Sequence, residues 1–309
     1  MLIEQKLEQI KLSKVQRDVM NYIIHNKYNI GDMTVKEVAK ATYTSTTTVI
    51  RLAQKLGYHG YEEFKKDYLD EVHYLDSHFN HIDVNYPFQG NEPIQRISGK
   101  ITQLTIEAMQ DTLSLIEHDT LQKAIQYMRE SSTIHIAAIS YNLLLAQIFR
   151  LDMMRIGKNI NICDLAGEEM FLQGVVHKGD TVIFISYSGQ IEKLCILAKI
   201  LKQKEVNIIV ISSLGDNELK RYADVCLNLS TREKLYSKIK GYTNEYSVKL
   251  WLDILYSCYF ALEYDKNMKT RLSHSKSGEI GRSVTKIRFF YFVERKNVLS
   301  VFYYFSIYK

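Results

Sequence analysis

Two periodicities divide the chain. Over the first 75 residues, apolar positions recur every three or four residues in short blocks, as on small amphipathic helices. Val15, Val19, Tyr22 and Ile23 make one stripe, opened by Ser13 as an N-cap and broken at Gly31-Asp32. Thr34 caps a second helix with Val35, Val38 and Ala39 inward, and the polar Thr42-Tyr43-Thr44 reads as a tight turn. Ser45 caps a third helix, whose Val49, Leu52, Ala53 and Leu56 follow the i, i+3, i+4, i+7 rule; Gly57 stops it. A further amphipathic helix over 61–74 carries Tyr61, Phe64, Tyr68 and Leu69.

From about 119 to 263 the pattern changes to continuous apolar runs at 133–139, 159–163, 181–186, 206–211 and 225–229. Helical stretches near 142–156, 166–174, 190–204 and 216–223 separate them, and a long apolar helix covers 245–262. Apolar strands alternating with helices predict an α/β doubly wound parallel sheet. The expected architecture is therefore an all-α domain over 1–75, a linker and connecting helix over 76–118 with the helix at 94–116, and an α/β domain over 119–265. Both prolines of the chain, Pro87 and Pro93, fall in the linker. The last segment, 266–309, is a basic aromatic tail for which the sequence predicts no definite structure.

Charge sharpens this division. Residues 1–60 hold 9 Lys+Arg against 5 Asp+Glu, residues 61–265 hold 21 against 28, and residues 266–309 hold 10 against 2; the nets of +4, −7 and +8 add to the overall +5. Basic ends around an acidic middle suit nucleic acid at one end of the molecule. Cys163, Cys195, Cys226 and Cys258 are widely spaced and sit in or beside apolar runs, as reduced buried thiols do, so neither a metal nor a disulfide is expected. The first residues lack an apolar signal core and no run of about 18 apolar residues occurs, which predicts a cytoplasmic protein without a membrane span.

The helix over 45–56 has the chemistry of a DNA reader. Its outer face offers Ser45, Thr46, Thr47, Thr48, Ile50, Arg51, Gln54 and Lys55, short hydroxyls and long polar groups suited to base edges and phosphates. Lys36 and Lys40 on the preceding helix are placed to neutralise phosphates. A solvated helix with a threonine run at its start would show the same pattern. The run Leu12-Ser13, Gln16-Arg17, Val19, then Thr34-Val35, Val38-Ala39, then Thr48-Val49-Ile50-Arg51-Leu52, Lys55-Leu56-Gly57-Tyr58, Gly60-Tyr61 and Phe64-Lys65 resembles the N-terminal domain of RpiR-type regulators. The resemblance implies that 45–55 is the recognition helix and that the partner is a double-stranded DNA operator, bound by a homodimer or tetramer. Tyr43 departs from it: the turn of the family has Gly there, so left-handed backbone would be strained.

In the α/β part, Phe184-Ile185-Ser186-Tyr187-Ser188-Gly189-Gln190 follows a strand and precedes a helix, where doubly wound sheets bind ligands. Ser186 and Ser188 supply hydroxyls, and Gly189 lets backbone approach an anion. An ordinary serine-capped turn has the same composition. The run resembles the Ser-x-Ser-Gly loop of sugar isomerase (SIS) domains, a resemblance that extends over 119–263 and includes Asn207-Ile208-Ile209-Val210-Ile211-Ser212-Ser213 and Tyr222-Ala223-Asp224-Val225. It implies a phosphorylated-sugar effector held by Ser140, Asn142, Ser186, Ser188, Gly189 and Gln190, with no cofactor or metal. There are departures. Ile191 stands for a Thr, Ala138-Ile139-Ser140-Tyr141-Asn142 lacks two glycines of the first loop, and Asn244-Glu245 replaces Ser-Arg, which puts a carboxylate near the expected phosphate.

The expected function is transcription regulation of sugar metabolism, not catalysis. A sugar-phosphate isomerase would need a placed base, for which Glu233, Glu245, His135 and His177 are the candidates, none in a catalytic motif. A degenerate SIS domain serving only dimerisation is a third reading.

Overall fold

The computed structural model describes residues 2–77, 82–163 and 168–275. Five helices form the N-terminal unit: α1 (Ile3–Gln9), α2 (Lys14–Asn26), α3 (Val35–Ala41), α4 (Thr46–Lys55) and α5 (Tyr61–Ser77). The predicted caps fix their starts. Ser13 Oγ accepts from Gln16 N–H while Gln16 Oε1 accepts from Ser13 N–H, and Thr34 and Glu37 repeat the exchange on α3. Ser45 Oγ accepts from Thr48 N–H at 3.2 Å. Each such cap contributes about 1 kcal/mol.

The helices close over one apolar cluster containing Val19, Ile23, Val38, Val49, Leu52 and Phe64. Phe64 stacks with Tyr68 at 6.0 Å and meets Tyr58 edge-on at 5.6 Å. Val15, placed inward by the sequence pattern, is exposed, and Met20 is buried instead. At the α3–α4 turn Tyr43 holds φ 53°, in the left-handed region that glycine adopts freely.

The linker is not loose where it is described. Val84 and Asn85 are buried against the second domain. There α6 (Ile94–Ser114) and α7 (His118–Glu130) precede a five-stranded sheet: β1 (Ile134–Ala138), β2 (Ile160–Ile162), β3 (Thr181–Ile185), β4 (Asn207–Ser213) and β5 (Val225–Leu229). The strands run parallel in the order β2-β1-β3-β4-β5. Both sheet faces are covered, which explains the unbroken apolar runs. Ile183 and Ile185 of β3 belong to the cluster with α7, α8 (Tyr141–Arg155) and α11 (Tyr242–Leu262). Val182 and Phe184 face the other way, against α10 (Glu192–Gln203) and the short α9 (Leu172–Val175).

Some elements differ from the sequence expectation. α1 and α7 are additional helices. The helical stretches expected at 166–174 and 216–223 are short: a 3-10 turn over Glu169–Phe171 leading into α9, and a 3-10 turn over Leu219–Tyr222. The tail is helical over 264–275, and its remainder, 276–309, lies outside the described residues. All four cysteines are free thiols. No described helix is long and apolar enough to cross a membrane.

The two domains meet through α1. Ile3 is buried in the N-terminal cluster, while Gln5 and Glu8 turn towards the second domain. Glu8 accepts from the backbone N–H groups of Leu235, Tyr236 and Ser237. Partial burial opposes its ionisation, but these bonds and the Ser237 side chain outweigh burial and hold the carboxyl below its usual range. A depressed folded pKa contributes stability above the unfolded value, about 4.3, that is lost as pH falls through the folded one. Urea titrations of the wild type and Glu8→Gln should differ fully at neutral pH and converge in acid below about pH 4. A gap independent of pH would reject the ionised contact.

Candidate DNA interface and effector cleft

α4 is set on α2, α3 and α5 by Val49, Leu52 and Ala53, all buried. That packing turns Ser45, Thr47, Arg51, Gln54 and Lys55 to solvent, with Thr46, Thr48 and Ile50 half-buried. Lys36 and Lys40 are exposed on α3 beside them. The predicted DNA-facing residues are therefore exposed or half-buried on the adjoining α3 and α4, with one distinction. Lys55 Nζ donates to the Lys11 carbonyl at 2.6 Å and lines a cleft of about 300 Å³ between the domains, together with Lys6, Gln190, Asp216 and Arg221.

The sheet order reverses direction between β1 and β3. The crossover from β1 runs through α8 on one face and that from β3 through α10 on the other, so their first loops splay apart at the strand ends. A cleft of about 520 Å³ opens there. One wall is Ile139–Asn142 after β1; another is Ser186, Tyr187 and Ser188 after β3. Leu235, Tyr236 and Lys238, from the segment after β5, form the third, and Asn244 with Glu245 at the start of α11 close it.

The predicted effector residues divide accordingly. Ser140, Asn142, Ser186 and Ser188 meet in this cleft. Gly189 lies behind it at φ 61°, where an added Cβ would stand 2.0 Å from Asn217 Oδ1, so its glycine is required by packing. Gln190 faces the interdomain cleft instead. Ser186 Oγ accepts from Gly189 N–H and Ser188 Oγ from Gln190 N–H, both at 3.2 Å, which leaves each hydroxyl hydrogen to donate elsewhere. The side-chain oxygens of Asn142 and Asn244 are buried with no hydrogen-bond partner among the described residues. Hydroxyl groups on a ligand are the chemistry that would satisfy them.

Sequence reasoning missed the positive charge. Lys238 lines the cleft, with Nζ 3.1 Å from Glu233 Oε2 and 5.2 Å from the Tyr187 ring centre. It lies in irregular chain that carries no motif, so no sequence signal marked it. Glu245 does face the cleft, but Lys240 pairs with it, and that bond raises the lysine above its usual range. The carboxylate is thereby largely neutralised towards an anion.

Of the four candidate bases, Glu245 lines the cleft. Glu233 is buried and accepts from Thr243 N–H, Thr243 Oγ–H and Asn244 N–H, capping α11, as well as facing Lys238. Glu245 is held by Lys240. His135 is buried on β1 beside Asp180, towards the end of the sheet opposite the cleft, and burial lowers its pKa. His177 is exposed in the turn before β3.

A helix-turn-helix unit fixed to a doubly wound domain with a polar cleft defines a DNA-binding regulator carrying an effector domain. Residues 1–72 match the helix-turn-helix domain of the rpiR family, and residues 127–252 match the SIS domain. The chain belongs to the RpiR-type transcription regulators. It is 23% identical over 261 residues to the uncharacterized HTH-type transcriptional regulator YbbH of Bacillus subtilis (strain 168), covering 82% of this chain and 88% of that one. It is 26% identical over 226 residues to an HTH-type regulator of Providencia stuartii, covering 72% and 77%. Among solved structures, the Vibrio vulnificus NanR protein complexed with ManNAc-6P aligns with TM-score 0.57 at 18% identity, covering 89% of this chain and 96% of that chain. The sugar isomerase domain of an RpiR transcription factor from Sphaerobacter thermophilus aligns with TM-score 0.52 at 12% identity, covering 59% and 99%. These two likenesses establish the fold.

Ser140 is where the altered first loop carries strain. It holds φ 59° and ψ −132°, a region that glycine occupies freely. Ser140→Gly should remove about 1–3 kcal/mol of strain, partly offset by about 0.5–1 kcal/mol of glycine's chain entropy. The expected gain is about 2–4 °C in Tm, read by calorimetry. A fall in Tm would mean the serine is stabilising. Gly189→Ala should lower Tm by forcing Asn217 off Ser212 Oγ and Lys220 N–H, which it now bonds at 3.0 and 3.1 Å.

Proposed function

We propose that the protein binds an operator duplex through α4 as a pair of subunits, and that a phosphorylated sugar in the 520 Å³ cleft sets its affinity for that operator. The observation that carries this reading is the cleft at the β1/β3 reversal. Its walls combine three serine hydroxyls, a lysine and two asparagine oxygens without partners among the described residues, a mixture suited to a phosphate and a polyol together. The NanR structure, complexed with ManNAc-6P, supports the ligand class. Regulation is preferred to isomerisation because the candidate bases are engaged in structural bonds or lie away from the cleft. Pairing of subunits is supported by α8, where Leu144, Ile148, Leu151 and Met154 expose an apolar row at helical spacing. Two recognition helices related by a two-fold axis would match palindromic half-sites, and a chromosomal operator implies the cytoplasm.

Within this scheme Lys36, Lys40 and the threonines position the duplex, and Arg51 with Gln54 reads base edges. Arg51→Ala should weaken binding to an operator selected from a random duplex pool by about 5–150-fold, with fold and subunit pairing intact. Lys36→Ala should weaken all sequences alike and reduce the slope of log affinity against log salt by about 1. Unchanged binding by Arg51→Ala would reject α4 as the reader. For the cleft, Ser188→Ala and Lys238→Ala are each expected to weaken phosphosugar binding by calorimetry, the lysine by about 10-fold or more. Turnover of a sugar phosphate by the wild type would favour the isomerase.

A further inference from the structure

One strip of chain, residues 233–239, is shared between the cleft and the DNA-binding domain. It supplies Leu235, Tyr236 and Lys238 to the cleft. Its backbone is held from outside. Glu8 on α1 accepts from Leu235 N–H at 2.7 Å, Tyr236 N–H at 3.2 Å and Ser237 N–H at 3.3 Å. Gln5 Nε2 donates to the Glu233 carbonyl at 2.6 Å and to the Tyr187 hydroxyl at 2.9 Å. The same hydroxyl donates to the Glu233 carbonyl at 2.8 Å, and Tyr187 is itself a wall of the cleft. Asn85 of the linker completes the clamp, accepting from Lys234 N–H and Ile239 N–H.

At the other side α1 is fastened into the DNA-binding domain. Ile3 is buried in its core and donates its N–H to Glu71 of α5 at 2.6 Å. Lys6 Nζ donates to the Tyr58 hydroxyl at 3.1 Å, just beyond the end of α4. Two turns of helix therefore join the cleft wall to the element that carries the recognition helix. Gln5 is buried with its amide fully bonded, Oε1 taking the Leu2 N–H, so displacement of the strip leaves polar groups unpaired unless α1 follows.

We propose that Gln5 and Glu8 are positioning residues of the effector cleft, and that α1 transmits occupancy of the cleft to the DNA-binding domain through the Gln5–Tyr187–Glu233 contact and the Glu8 clamp. A ligand phosphate that draws Lys238 from Glu233 and the Tyr187 ring moves the strip, and α1 moves with it. The coupling is reciprocal, so whatever shifts α1 alters the cleft equally. The ligand half of this inference rests on the effector reading above; the contact between α1 and the strip does not.

The test is hydrogen exchange by mass spectrometry on the full-length chain, with glucose 6-phosphate and inorganic phosphate as probes. In the wild type a probe that alters exchange at 186–189 must also alter it in α1 and at 235–237. In Glu8→Gln and in Gln5→Ala a response at 186–189, weakened by the lost positioning and read at saturating probe, should no longer be accompanied by one in α1. A response at 186–189 with none in α1 of the wild type overturns the proposal. If neither probe acts on the cleft, the effector reading for these ligands fails, and the contact is judged without ligand. Tyr187→Phe should then speed exchange in α1 by about 5-fold or more, while Glu8→Gln, isosteric and retaining the far-UV spectrum, speeds it at 235–237. Unchanged α1 exchange in Tyr187→Phe also overturns the proposal.

Discussion

The architecture depends on satisfying the polar groups of one irregular segment, 230–239, buried at 230, 231 and 233 and lying against α1 beyond. A buried donor or acceptor left unpaired costs about 1–3 kcal/mol, so each must find a partner as the chain folds. The partners come from four directions. Ser230 Oγ bonds Asp111 of α6, and Arg232 pairs with Glu107 on the same helix at 2.8 Å, both ends of that pair almost fully buried. Glu233 caps α11. Gln5, Glu8 and Asn85 take the remaining backbone groups. Removing one member of a buried ion pair costs about 3–5 kcal/mol, which makes Arg232–Glu107 a fixed anchor. The strip beyond it is held by Gln5, Glu8, Asn85 and Tyr187 and by the Glu233 carboxylate, which caps α11 and pairs with Lys238.

The charges of the cleft follow from the same segment. Lys238 and Lys240 each face a carboxylate, Glu233 and Glu245, so the cleft presents balanced pairs. The two pairs are unequal. Glu233 is buried and keeps three donors from α11 whether or not Lys238 faces it. Glu245 has Lys240 as its ion-pair partner and is largely buried. An arriving dianion that recruits Lys238 therefore leaves Glu233 its three hydrogen bonds but takes its counter-charge, so ligand and carboxylate compete for the lysine. The change from Ser-Arg to Asn-Glu at 244–245 looked hostile to phosphate in sequence; the structure answers it with a lysine four residues upstream of the helix.

How much of this was legible varied with the kind of interaction. Caps and periodicity are local, so α2, α3 and α4 were readable from Ser13, Thr34 and Ser45 and the stripes behind them, and the strands from their apolar runs. The stripe of α7, with Leu121, Ala124, Ile125 and Met128 at helical spacing, was present but lay across the expected domain boundary. α1 was harder: it has seven residues, and its interior side includes Gln5 and Glu8, polar residues that only a distant partner makes inward. Part of the cleft lining, Ser186 and Ser188, was legible as a strand–loop–helix motif. Lys238 and Tyr236 were not, because they join the cleft through chain some 50 residues further on with no motif of its own. Gly189 and Gln190 sat correctly in the motif, but the loop turns them away from the cleft.

Two non-glycine residues in left-handed backbone bracket the working parts of the molecule. Tyr43 stands in the turn before α4, 98% exposed, and Ser140 at the mouth of the cleft. Both stand where the family pattern has glycine, and both hold a positive φ, of 53° and 59°, at a cost of about 1–3 kcal/mol apiece. The backbone shape is thus demanded by the fold around it: Thr44 N–H must reach the Ala39 carbonyl to close the turn, and Leu143 N–H the Ser140 carbonyl to start α8. The side chains are not demanded by the fold, since Tyr43 is almost wholly in solvent and the Ser140 hydroxyl caps nothing. Tyr43 thus leaves its ring free in the turn before α4, and Ser140 leaves its hydroxyl free on the cleft wall.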